Sequence, residues 1–535
     1  MKKLLALLLA AVLCLPSFGA VPDKDIVILF TNDVHCGVDE NIGYAGLAYY
    51  RNEARKLTPY VTLVDAGDWS QGETIGSIAQ GRYILEIMNA INYDVAVPGN
   101  HEFDYGWSQF ENFAKNLTCG FISCNLRDLR TGELVFKPYK MFTYGGVKVA
   151  FVGACTPDSL LKSTPSSFTD GAGKRIYGFD EDSSGEKLIA SVQRAVDDAR
   201  SEGADYVIVV GHLGEYKDVT EAWSAPYIAA RTHGIDAFID GHSHEETPSL
   251  VIKNSDGKNT VITQTGTKLA NIGRLTITTS GQVKTELIAS VQSRDEEITA
   301  LIQDIKARYE DTITQHLSYT SFDLKAKDEK GDWLTRNGEN TLCNLVADSF
   351  LASARETKTG TADIALCNAG TLRNNIKAGE IAFSDALSVV PFANTLCIME
   401  ISGQTLLDEL EHGVHTLPKL DGGFLHASGL TFTIDTRIPS PVKVDDANTL
   451  LEISGERRIR DVKVNGEDIN PGKYYKVVST SFVLREGGNG HIFRGAKLIE
   501  PDYMVQSDAL AHYLKEFDVL PVRYRENQGR ITVIQ

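Results

Sequence analysis

Short apolar runs alternate with amphipathic segments through the first half of the chain. Each run holds three to five mostly apolar positions, and the runs are 26–30, 61–64, 95–97, 149–152, 207–210 and 237–239. Between them, apolar residues recur with helical spacing, for example over 84–91 and 188–196. Continuous apolar strands separated by helices are typical of sheets covered on both faces. The pattern predicts an α/β domain with a layered α/β/β/α arrangement over residues 21–292.

A charged amphipathic segment follows this region and precedes a second α/β pattern. Its apolar side chains fall on one helical stripe, namely Ile298, Leu301, Ile302, Ile305 and Tyr309. The polar stretch 325–332 has the composition of a loop. We therefore expect a linker helix and loop over residues 293–332 and a separate α/β domain over residues 333–535.

The first twenty residues have the composition of a signal peptide. Lys2 and Lys3 form the charged start, residues 4–15 are mostly apolar, and small residues precede the expected cleavage point at Ala20. The apolar run is too short to span a bilayer as a stable helix, and no second long apolar segment follows. These features predict an exported protein, either periplasmic or secreted to the cell surface, without stable membrane insertion.

Composition and charge narrow the class of partner. The 535 residues are 42% hydrophobic and 23% charged, which is typical of folded domains, and the length favours more than one core. The formal net charge of −18 argues against binding a nucleic acid polymer or an anionic membrane surface. It leaves a small phosphate substrate open, because a bound metal ion or a few arginines can reverse the local charge.

Seven cysteines follow the predicted signal peptide. In an oxidising compartment Cys119 and Cys124 could form a disulfide, but an odd number of thiols leaves at least one unpaired. Most of the seven lie in apolar runs, where cysteine behaves as a small hydrophobic residue. The sequence leaves the pairing open.

Polar residues with metal-binding side chains follow five of the predicted strands, in the segments 32–35, 65–68, 100–101, 211–212 and 240–244. If the carboxyl ends of these strands share one edge of a sheet, seven candidate ligands converge there. They are Asp33, His35, Asp68, Asn100, His212, His242 and His244. Taken singly, each could be a helix cap or a turn residue. Together they suit two divalent metal ions that share a bridging carboxylate, with Zn, Mn, Co or Fe as candidates.

His101 and Asp104 follow the same predicted strand as Asn100. The imidazole could donate or relay a proton, and the carboxylate three residues later could hold it in one tautomer. The segment also has the composition of an ordinary β-turn, so this interpretation depends on the other strand ends. We take His101 and Asp104 as the candidate catalytic pair.

These segments resemble the signature blocks of the calcineurin-like metallophosphoesterases. The blocks are Thr-Asn-Asp-Val-His at 31–35, Gly-Asp-Trp-Ser-Gln-Gly at 67–72, Gly-Asn-His-Glu-Phe-Asp at 99–104, Gly-His at 211–212 and Gly-His-Ser-His at 241–244. Their order and spacing resemble the 5′-nucleotidase and UDP-sugar hydrolase branch of that family. The resemblance implies a four-layer catalytic domain followed by a nucleotidase C-terminal domain.

The same resemblance implies a role for each candidate ligand. One metal would be held by Asp33, His35 and His244, the other by Asn100, His212 and His242, with Asp68 bridging them. His101 and Asp104 would stand beside the phosphate. One position departs from the pattern, because some bacterial members carry Gln where this chain has His244, and the preference of the first metal site is expected to differ accordingly.

The second half of the chain has no comparable ligand cluster, and its candidate residues lie in loops. Arginine presents a fork of donors that fits phosphate, and two phenylalanines with a gap between them form a slot for a planar base. From the residues alone, surface ion pairs and core packing are the alternative explanation. The resemblance implies a substrate-binding role for Arg336, Asn368, Arg373, Phe392, Asn394, Phe482 and Asn489.

Two of these positions depart from the family pattern. The family has Asp, which contacts the ribose, in a Gly-Gly-Asp-Gly turn where this chain has Asn489. The aromatic residue lies six positions before that Asp in the family, whereas Phe482 lies seven positions before Asn489. Ribose recognition is therefore expected to be weaker or altered.

The resemblance implies metal-assisted hydrolysis of a nucleotide phosphate ester by a hydroxide held between the ions. We expect nucleoside 5′-monophosphates as substrates, with nucleoside di- and triphosphates and UDP-sugars as further candidates, and a monomer or weak oligomer. Three alternatives stay open at this point. They are a 2′,3′-cyclic-nucleotide 2′-phosphodiesterase/3′-nucleotidase, a thiosulfate-ester hydrolase, and a nucleoside-binding surface protein without turnover.

Overall fold

A computed structural model describes residues 20–163, 165–170, 174–215, 219–445 and 448–535. The predicted signal peptide, residues 1–20, lies outside this described part of the chain except for Ala20. None of the described helices is both long enough and apolar enough to cross a membrane.

The N-terminal region is built from two sheets and the helices that cover them. Its strands are β1 (Ile26–Thr31), β2 (Val61–Asp65), β3 (Val95–Ala96), β4 (Arg127–Asp128), β5 (Glu133–Leu134), β6 (Tyr139–Tyr144), β7 (Val147–Cys155), β8 (Tyr177–Gly178), β9 (Tyr206–His212), β10 (Ala237–Ile239), β11 (Glu246–Lys253), β12 (Asn259–Thr265), β13 (Ile272–Ile277) and β14 (Val283–Ile288). Its helices are α1 (Gly43–Leu57), α2 (Thr74–Ala79), α3 (Arg82–Ile91), α4 (Trp107–Asn116), α5 (Ser159–Lys162), α6 (Glu186–Ser201), α7 (Ala225–Arg231), α8 (Glu296–Ala307) and α9 (Glu310–Ile313).

The two sheets face each other across a common core. One has the strand order β14-β13-β1-β2-β3 and the other β11-β12-β10-β9-β7-β6. In β1, Ile28 and Phe30 point into the core between the sheets, whereas Val27 and Leu29 join the outer core. Because successive side chains of a strand point to opposite faces, a strand buried on both faces reads as a continuous apolar run.

Helices cover the outer face of each sheet. Residues of α1, α3, α4 and α8 pack with the outer residues of β1 and β2, and α6 and α7 pack on the second sheet. Ile298, Ile302 and Ile305 of α8 belong to this first outer core, so the amphipathic stripe that follows β14 is buried against the N-terminal region. The prediction of a layered α/β/β/α domain is confirmed.

The C-terminal region has its own sheets and helices. Its strands are β15 (His316–Thr320), β16 (Ile364–Asn368), β17 (Gly379–Ala382), β18 (Thr395–Ser402), β19 (Leu425–Ser428), β20 (Leu430–Asp435), β21 (Val442–Val444), β22 (Leu450–Ile453), β23 (Ile459–Val464), β24 (Glu467–Asp468), β25 (Tyr474–Thr480), β26 (Lys497–Val505) and β27 (Ile531–Ile534). Its helices are α10 (Thr341–Ser353), α11 (Phe383–Val389), α12 (Gly403–Gly413), α13 (Ser481–Leu484) and α14 (Gln506–Leu514).

The central sheet of this region has the strand order β19-β16-β25-β18-β26 and is buried on both faces. Helices α10, α11 and α14 share one core with it, and α12 and the sheet β24-β23-β20-β27 share the other. The prediction of a second α/β domain is confirmed.

Cys119 and Cys124 are both free thiols, and every cysteine of the described residues except Cys119 is buried.

Candidate metal centre and substrate region

The seven candidate ligands lie where strands of the two sheets end. β1, β2 and β3 run parallel in one sheet, and β9 and β10 run parallel in the other. Five of the seven residues have positive φ: Asp33 at 50°, His35 at 44°, Asp68 at 60°, His242 at 81° and His244 at 58°. This backbone geometry is costly for residues that carry side chains, and it is concentrated at functional sites.

Asp33, His35 and His244 form the first group of side chains. Their ligand atoms lie within 4.8 Å of one another, and His244 Nε2 is 3.4 Å from Asp33 Oδ1 and 3.0 Å from His35 Nε2. His35 Nδ1–H donates to the Gln71 carbonyl at 2.9 Å, so its Nε2 lone pair faces the group. The backbone N–H of His242 donates to Asp33 Oδ2 at 2.9 Å, which leaves Asp33 Oδ1 for the imidazoles or an ion.

Asp68, His212 and His242 form the second group, again with ligand atoms within 4.8 Å of one another. His212 Nε2 lies 3.1 Å from Asp68 Oδ2. His212 Nδ1–H donates to the Ala66 carbonyl at 2.6 Å, which directs its Nε2 at the carboxylate. Asp68 Oδ2 is also 3.9 Å from His35 Nε2, so this carboxylate lies between the two groups.

Three buried atoms at this centre have no hydrogen-bond partner among the described residues. They are Asp33 Oδ1, Asn100 Oδ1 and His212 Nε2. A buried polar atom without a partner costs about 1–3 kcal/mol, so such atoms are rare in native proteins unless a ligand satisfies them. Asp33 Oδ1 and Asn100 Oδ1 carry lone pairs, and His212 Nε2 offers one when it is deprotonated; all three atoms are of the kinds that divalent transition metals bind. The residues present therefore fit metal ions at this centre.

The charges of the centre favour the same conclusion. Burial opposes charge on His212, but the carboxylates of Asp68 and Asp33 outweigh it and raise its pKa to about 10. Burial lowers the pKa of His35 to about 3 and that of His242 to about 4. The carboxylates thus attract positive charge, while two of the imidazoles are in the neutral form that binds metals.

Glu102 is a residue of this centre that the sequence analysis missed. Its side chain is fully buried. Glu102 Oε2 accepts hydrogen bonds from the backbone N–H groups of Asp68 at 2.8 Å and Gly99 at 2.7 Å. Glu102 Oε1 accepts from those of Trp69 at 2.9 Å and Ser70 at 3.1 Å. One carboxylate therefore joins the loop after β2 to the loop after β3.

Asp158 is a second residue that the sequence analysis missed. Its Oδ2 lies 3.5 Å from His242 Nε2 and 3.5 Å from Lys162 Nζ, and Thr220 Oγ1 donates to its Oδ1 at 3.0 Å. Burial would raise the pKa of Asp158, but the hydrogen bond with His242 and the charge of Lys162 outweigh it and lower that pKa. An ionised carboxylate thus lies behind one of the candidate ligands.

His101 and Asp104 form a hydrogen-bonded pair beside the two groups. His101 Nδ1–H donates to Asp104 Oδ2 at 2.6 Å, and the His101 backbone N–H donates to Asp68 Oδ1 at 2.8 Å. The His101 ring lies 5.2 Å from the His35 ring. Burial opposes charge on His101, but Asp104 and Asp68 outweigh it and raise its pKa. The pair fixes the tautomer of His101 and leaves Nε2 for proton exchange.

The C-terminal domain places two of its candidate residues at this centre. The Phe392 ring lies 6.2 Å from the His101 ring at an interplanar angle of 27°, and Arg373 Cζ lies 5.6 Å from the Phe392 ring centroid. Ser77 Oγ of the first domain donates to the Pro391 carbonyl at 2.8 Å. The predicted phosphate and base contacts of the second domain thus adjoin the candidate catalytic pair.

Arg336 and Arg373 flank a ring that the sequence analysis did not identify. The ring is that of Trp333. Its centroid is 4.2 Å from Lys327 Nζ, 4.3 Å from Arg336 Cζ and 5.8 Å from Arg373 Cζ. Burial lowers the pKa of Lys327 to about 8, and the charges of both arginines act in the same direction. Three cations around one indole form a region that attracts anionic ligands.

The remaining candidates lie at or next to the ends of β16, β18 and β25 in the C-terminal domain. Asn368 Nδ2 donates to Asn489 Oδ1 at 2.9 Å, so these two amides bind each other. The Phe482 ring packs directly on the following turn, because a Cβ at Gly488 would collide with it. Asn394 is half-buried in the loop before β18.

Comparison with known proteins matches both domains to known families. Residues 26–246 match the family Calcineurin-like phosphoesterase, and residues 324–496 match the family 5′-nucleotidase, C-terminal domain. The chain is 25% identical to the 5′-nucleotidase of Bos taurus, over 95% of this chain and 90% of that protein. It is 26% identical to the trifunctional nucleotide phosphoesterase protein YfkN of Bacillus subtilis (strain 168), over 87% of this chain and 32% of that protein.

A solved structure resembles the whole fold. The crystal structure of the 5′-nucleotidase precursor from Thermus thermophilus superposes with a TM-score of 0.73 at 25% identity. The match covers 96% of this chain and 99% of the Thermus chain. The chain belongs to the calcineurin-like phosphoesterases whose catalytic domain is followed by a 5′-nucleotidase C-terminal domain, a group of metal-dependent phosphoric monoester hydrolases.

Proposed function

We propose that the protein is an exported phosphohydrolase with two divalent metal ions that releases phosphate from nucleoside 5′-monophosphates. The observation that carries this proposal is a set of three buried atoms without a hydrogen-bond partner, Asp33 Oδ1, Asn100 Oδ1 and His212 Nε2, which lies next to the His101–Asp104 pair. The 5′-nucleotidases of Bos taurus and Thermus support the choice of substrate class. Residues 1–20 support export through their composition.

The metal-binding roles follow the two groups of side chains. One ion would be held by Asp33, His35 and His244, and the other by Asn100, His212 and His242, with Asp68 shared between them. When bound, two such ions activate water near neutral pH and neutralise charge on the phosphoryl oxygens. Zn, Mn, Co and Fe all suit this mixture of imidazole, carboxylate and amide ligands.

The chain's own residues bind, orient and move protons around the phosphate. His101 is held by Asp104 through Nδ1, so its Nε2 can donate a proton to the leaving oxygen or bind a phosphoryl oxygen. The raised pKa of His101 keeps it protonated closer to neutral pH, as an acid requires. Arg373 adds a positive charge on the side of the second domain, where its planar fork of donors matches a phosphate.

The second domain would recognise the nucleoside. Phe392 offers a ring face beside His101, and Trp333 lies between the cations Lys327 and Arg336. A planar base can stack on an aromatic face, and further phosphates of a di- or triphosphate would be attracted to the cations. The amide pair of Asn368 and Asn489 offers donors and acceptors for a ribose hydroxyl.

A second candidate substrate is a 3′-nucleotide or a 2′,3′-cyclic nucleotide. Its support is the Asn489 side chain, which is neutral where the family pattern has Asp and is already paired with Asn368. The similarity to a trifunctional nucleotide phosphoesterase also supports this second candidate. A weaker hold on the ribose would tolerate substrates with phosphate at another position.

The test is hydrolysis of a panel of nucleotides by the purified mature chain, followed both as inorganic phosphate and as the nucleoside and nucleotide products. The panel holds AMP, 3′-AMP, 2′,3′-cyclic AMP, ADP and UDP-glucose, each assayed after chelation and again with Mn, Co or Zn added back. We expect the highest kcat/KM with AMP, no activity after chelation, and recovery with metal. A preference for the cyclic or 3′ substrates would select the second candidate, and release that resists chelation would overturn the metal-dependent mechanism.

A further inference from the structure

A separate group of metal-binding side chains lies inside the C-terminal domain. Glu409 and His412 are one turn apart on α12, and His491 directly follows the Gly487–Gly490 turn. All three residues are about 1% exposed, and His412 Nδ1, His491 Nδ1 and a Glu409 carboxylate oxygen lie within 4.8 Å of one another. None of the three belongs to the centre at Asp33–His244.

The protons of both imidazoles are fixed by backbone carbonyls. His412 Nε2 lies 2.8 Å from the Asn448 carbonyl oxygen, and His491 Nε2 lies 2.8 Å from the Gly423 carbonyl oxygen. A carbonyl oxygen can only accept, so each Nε2 carries the hydrogen. In the neutral imidazole, each Nδ1 atom then carries a lone pair. Histidines that bind metals are commonly held this way through the other ring nitrogen.

Three electron-pair donors therefore face one another without solvent. His412 Nδ1 is 3.4 Å from His491 Nδ1, and Glu409 Oε2 is 2.9 Å from His491 Nδ1 and 3.9 Å from His412 Nδ1. Within the described part of the chain, the ion pairs of Glu409 involve these two histidines alone. A buried carboxylate without a cation is strongly unfavourable, so a cation belongs at this point.

The distances fit a divalent ion. Bonds of about 2.0–2.1 Å to nitrogen and oxygen at tetrahedral angles separate neighbouring ligand atoms by about 3.3 Å. The three observed separations, 2.9, 3.4 and 3.9 Å, scatter around that value. We propose that Glu409, His412 and His491 bind a divalent transition-metal cation of the zinc class, in addition to the ions of the catalytic domain.

The surroundings of the site indicate a structural role for the ion. The Asn448 carbonyl accepts from His412, and the Asn448 side chain donates to the Asn489 backbone carbonyl at 3.3 Å. Asn489 in turn pairs with Asn368. An ion at this point would connect α12 to the turn that carries Asn489 and would hold that turn in place for the substrate.

The alternative cation is a proton on His491 that is shared with Glu409. It would satisfy the carboxylate through the 2.9 Å contact, and the same N–H group would lie 3.4 Å from the His412 Nδ1 lone pair. A metal ion and a proton differ in their response to added zinc and to a chelator.

The first experiment measures bound metal per chain in the full-length mature protein after dialysis against Zn²⁺. The variants are Glu409→Gln, which keeps the shape of the side chain, and His491→Ala. The control is His426→Ala, which removes another buried histidine of the same domain whose Nε2–H donates to the Thr335 carbonyl at 2.7 Å. We expect each cluster variant to lose one ion per chain relative to wild type, while the control keeps it.

The second experiment titrates Co²⁺ into the chain with His35→Ala and His242→Ala, which disable the catalytic centre. We expect one remaining ion with the strong visible absorption of tetrahedral cobalt, lost on adding Glu409→Gln. A wild-type metal content that the cluster variants do not change would overturn the proposal. So would a melting temperature of this chain that follows pH and is unaffected by Zn²⁺ or chelator, because a shared proton would then occupy the site.

Discussion

The metal centre and the substrate region are built in opposite ways. The proposed ligands of the metal centre come from one domain, follow strands of two packed sheets and are mostly buried. The substrate region uses half-buried aromatic and cationic side chains, such as Trp333 and Phe392, from loops of the other domain. Its position beside the centre depends on contacts between domains, including the hydrogen bond from Ser77 to Pro391.

This difference suggests a division of labour. Five of the proposed ligands have a strained backbone with positive φ, and the packing of the sheets must supply the free energy that holds them. Chemistry at phosphorus requires that precision, because a displacement of about 1 Å can cost a factor of about 100 in rate. Substrate choice tolerates more variation, and the loops of the second domain can change without disturbing the ligands.

His101→Ala provides the largest test, since it removes chemistry and leaves metal binding in place. We expect kcat to fall by roughly 10²–10⁴-fold, because the variant loses the group that exchanges a proton with the leaving oxygen. The measurement is steady-state phosphate release together with metal content per chain. The exposed His233→Ala serves as the matched control. Turnover that matches wild type would remove His101 from the mechanism.

Glu102→Gln tests whether the metal centre depends on a residue that contacts no substrate. The amide NH₂ group of Gln would face backbone N–H groups that now donate hydrogen bonds to the Glu102 carboxylate. We expect a loss of about 3 kcal/mol in the free energy of unfolding and a 10–100-fold loss in metal affinity or activity. Urea unfolding and metal titration provide the measurements. An unchanged metal affinity would show that the two loops keep their places without this carboxylate.

Arg373→Ala should affect the substrate region alone. One charge-assisted hydrogen bond to a phosphate contributes about 1.5–3 kcal/mol, so kcat/KM for AMP should fall about tenfold or more. Metal content and melting temperature should match wild type. Arg355 is an exposed arginine of the same domain, and Arg355→Ala is the control. It should leave kcat/KM, metal content and melting temperature unchanged. A drop in metal content in the Arg373 variant would contradict the independence of the two regions.

The pH dependence of Lys327 provides the smallest effect. Burial lowers the pKa of Lys327 from 10.5 to about 8, so the folded protein loses this proton at a lower pH than the unfolded chain. Between about pH 8 and pH 10.5 the unfolded state binds more protons, and the contribution of Lys327 to stability therefore rises with pH in that window. Below about pH 8 the cost of holding the buried charge is present in full.

Activity should change in the opposite direction. As pH rises through about 8, Lys327 loses the charge that attracts an anionic substrate. KM should then rise by about threefold, since a partly screened charge contributes roughly 1 kcal/mol or less. Lys327→Met should abolish this rise, and Lys327→Arg should keep a low KM to higher pH. Identical pH profiles of KM for all three proteins would exclude Lys327 from substrate binding.

The sequence predicted the parts of the molecule in which local pattern and long-range packing agree. The apolar runs that precede Asp33, Asp68 and His212 indicated both the strands and the polar residues after their carboxyl ends. A parallel arrangement brings Asp33 close to Asp68, because strands of one sheet end at a common edge. The expectation of a single sheet was wrong for His212, whose strand β9 belongs to the second sheet, so the packing of the two sheets completes the centre. Pairing of the sheets themselves was implied by runs buried on both faces.

Other features depend on contacts between distant segments and have no local signal. Glu102 looks like a spacer between His101 and Asp104 until the loop after β2 lies against it. Trp333 becomes part of a site only when Arg373 approaches its ring from another loop. For Glu102, the sequence offered one indication of a structural role. This acidic residue lies beside an apolar residue in its block, where a buried and unpaired charge would be costly.

The carboxylate of Glu102 also limits how this enzyme can be re-engineered. Glu102 accepts hydrogen bonds from both the turn at Asp68–Ser70 and the turn at Gly99. Lengthening either turn by one residue would therefore break the hydrogen bonds that hold the two turns together. A library that aims to admit bulkier esters should therefore keep these two turns at their native length. Insertions belong in the loops of the second domain around Trp333 and Phe392, where added residues would widen the cleft and spare the ions.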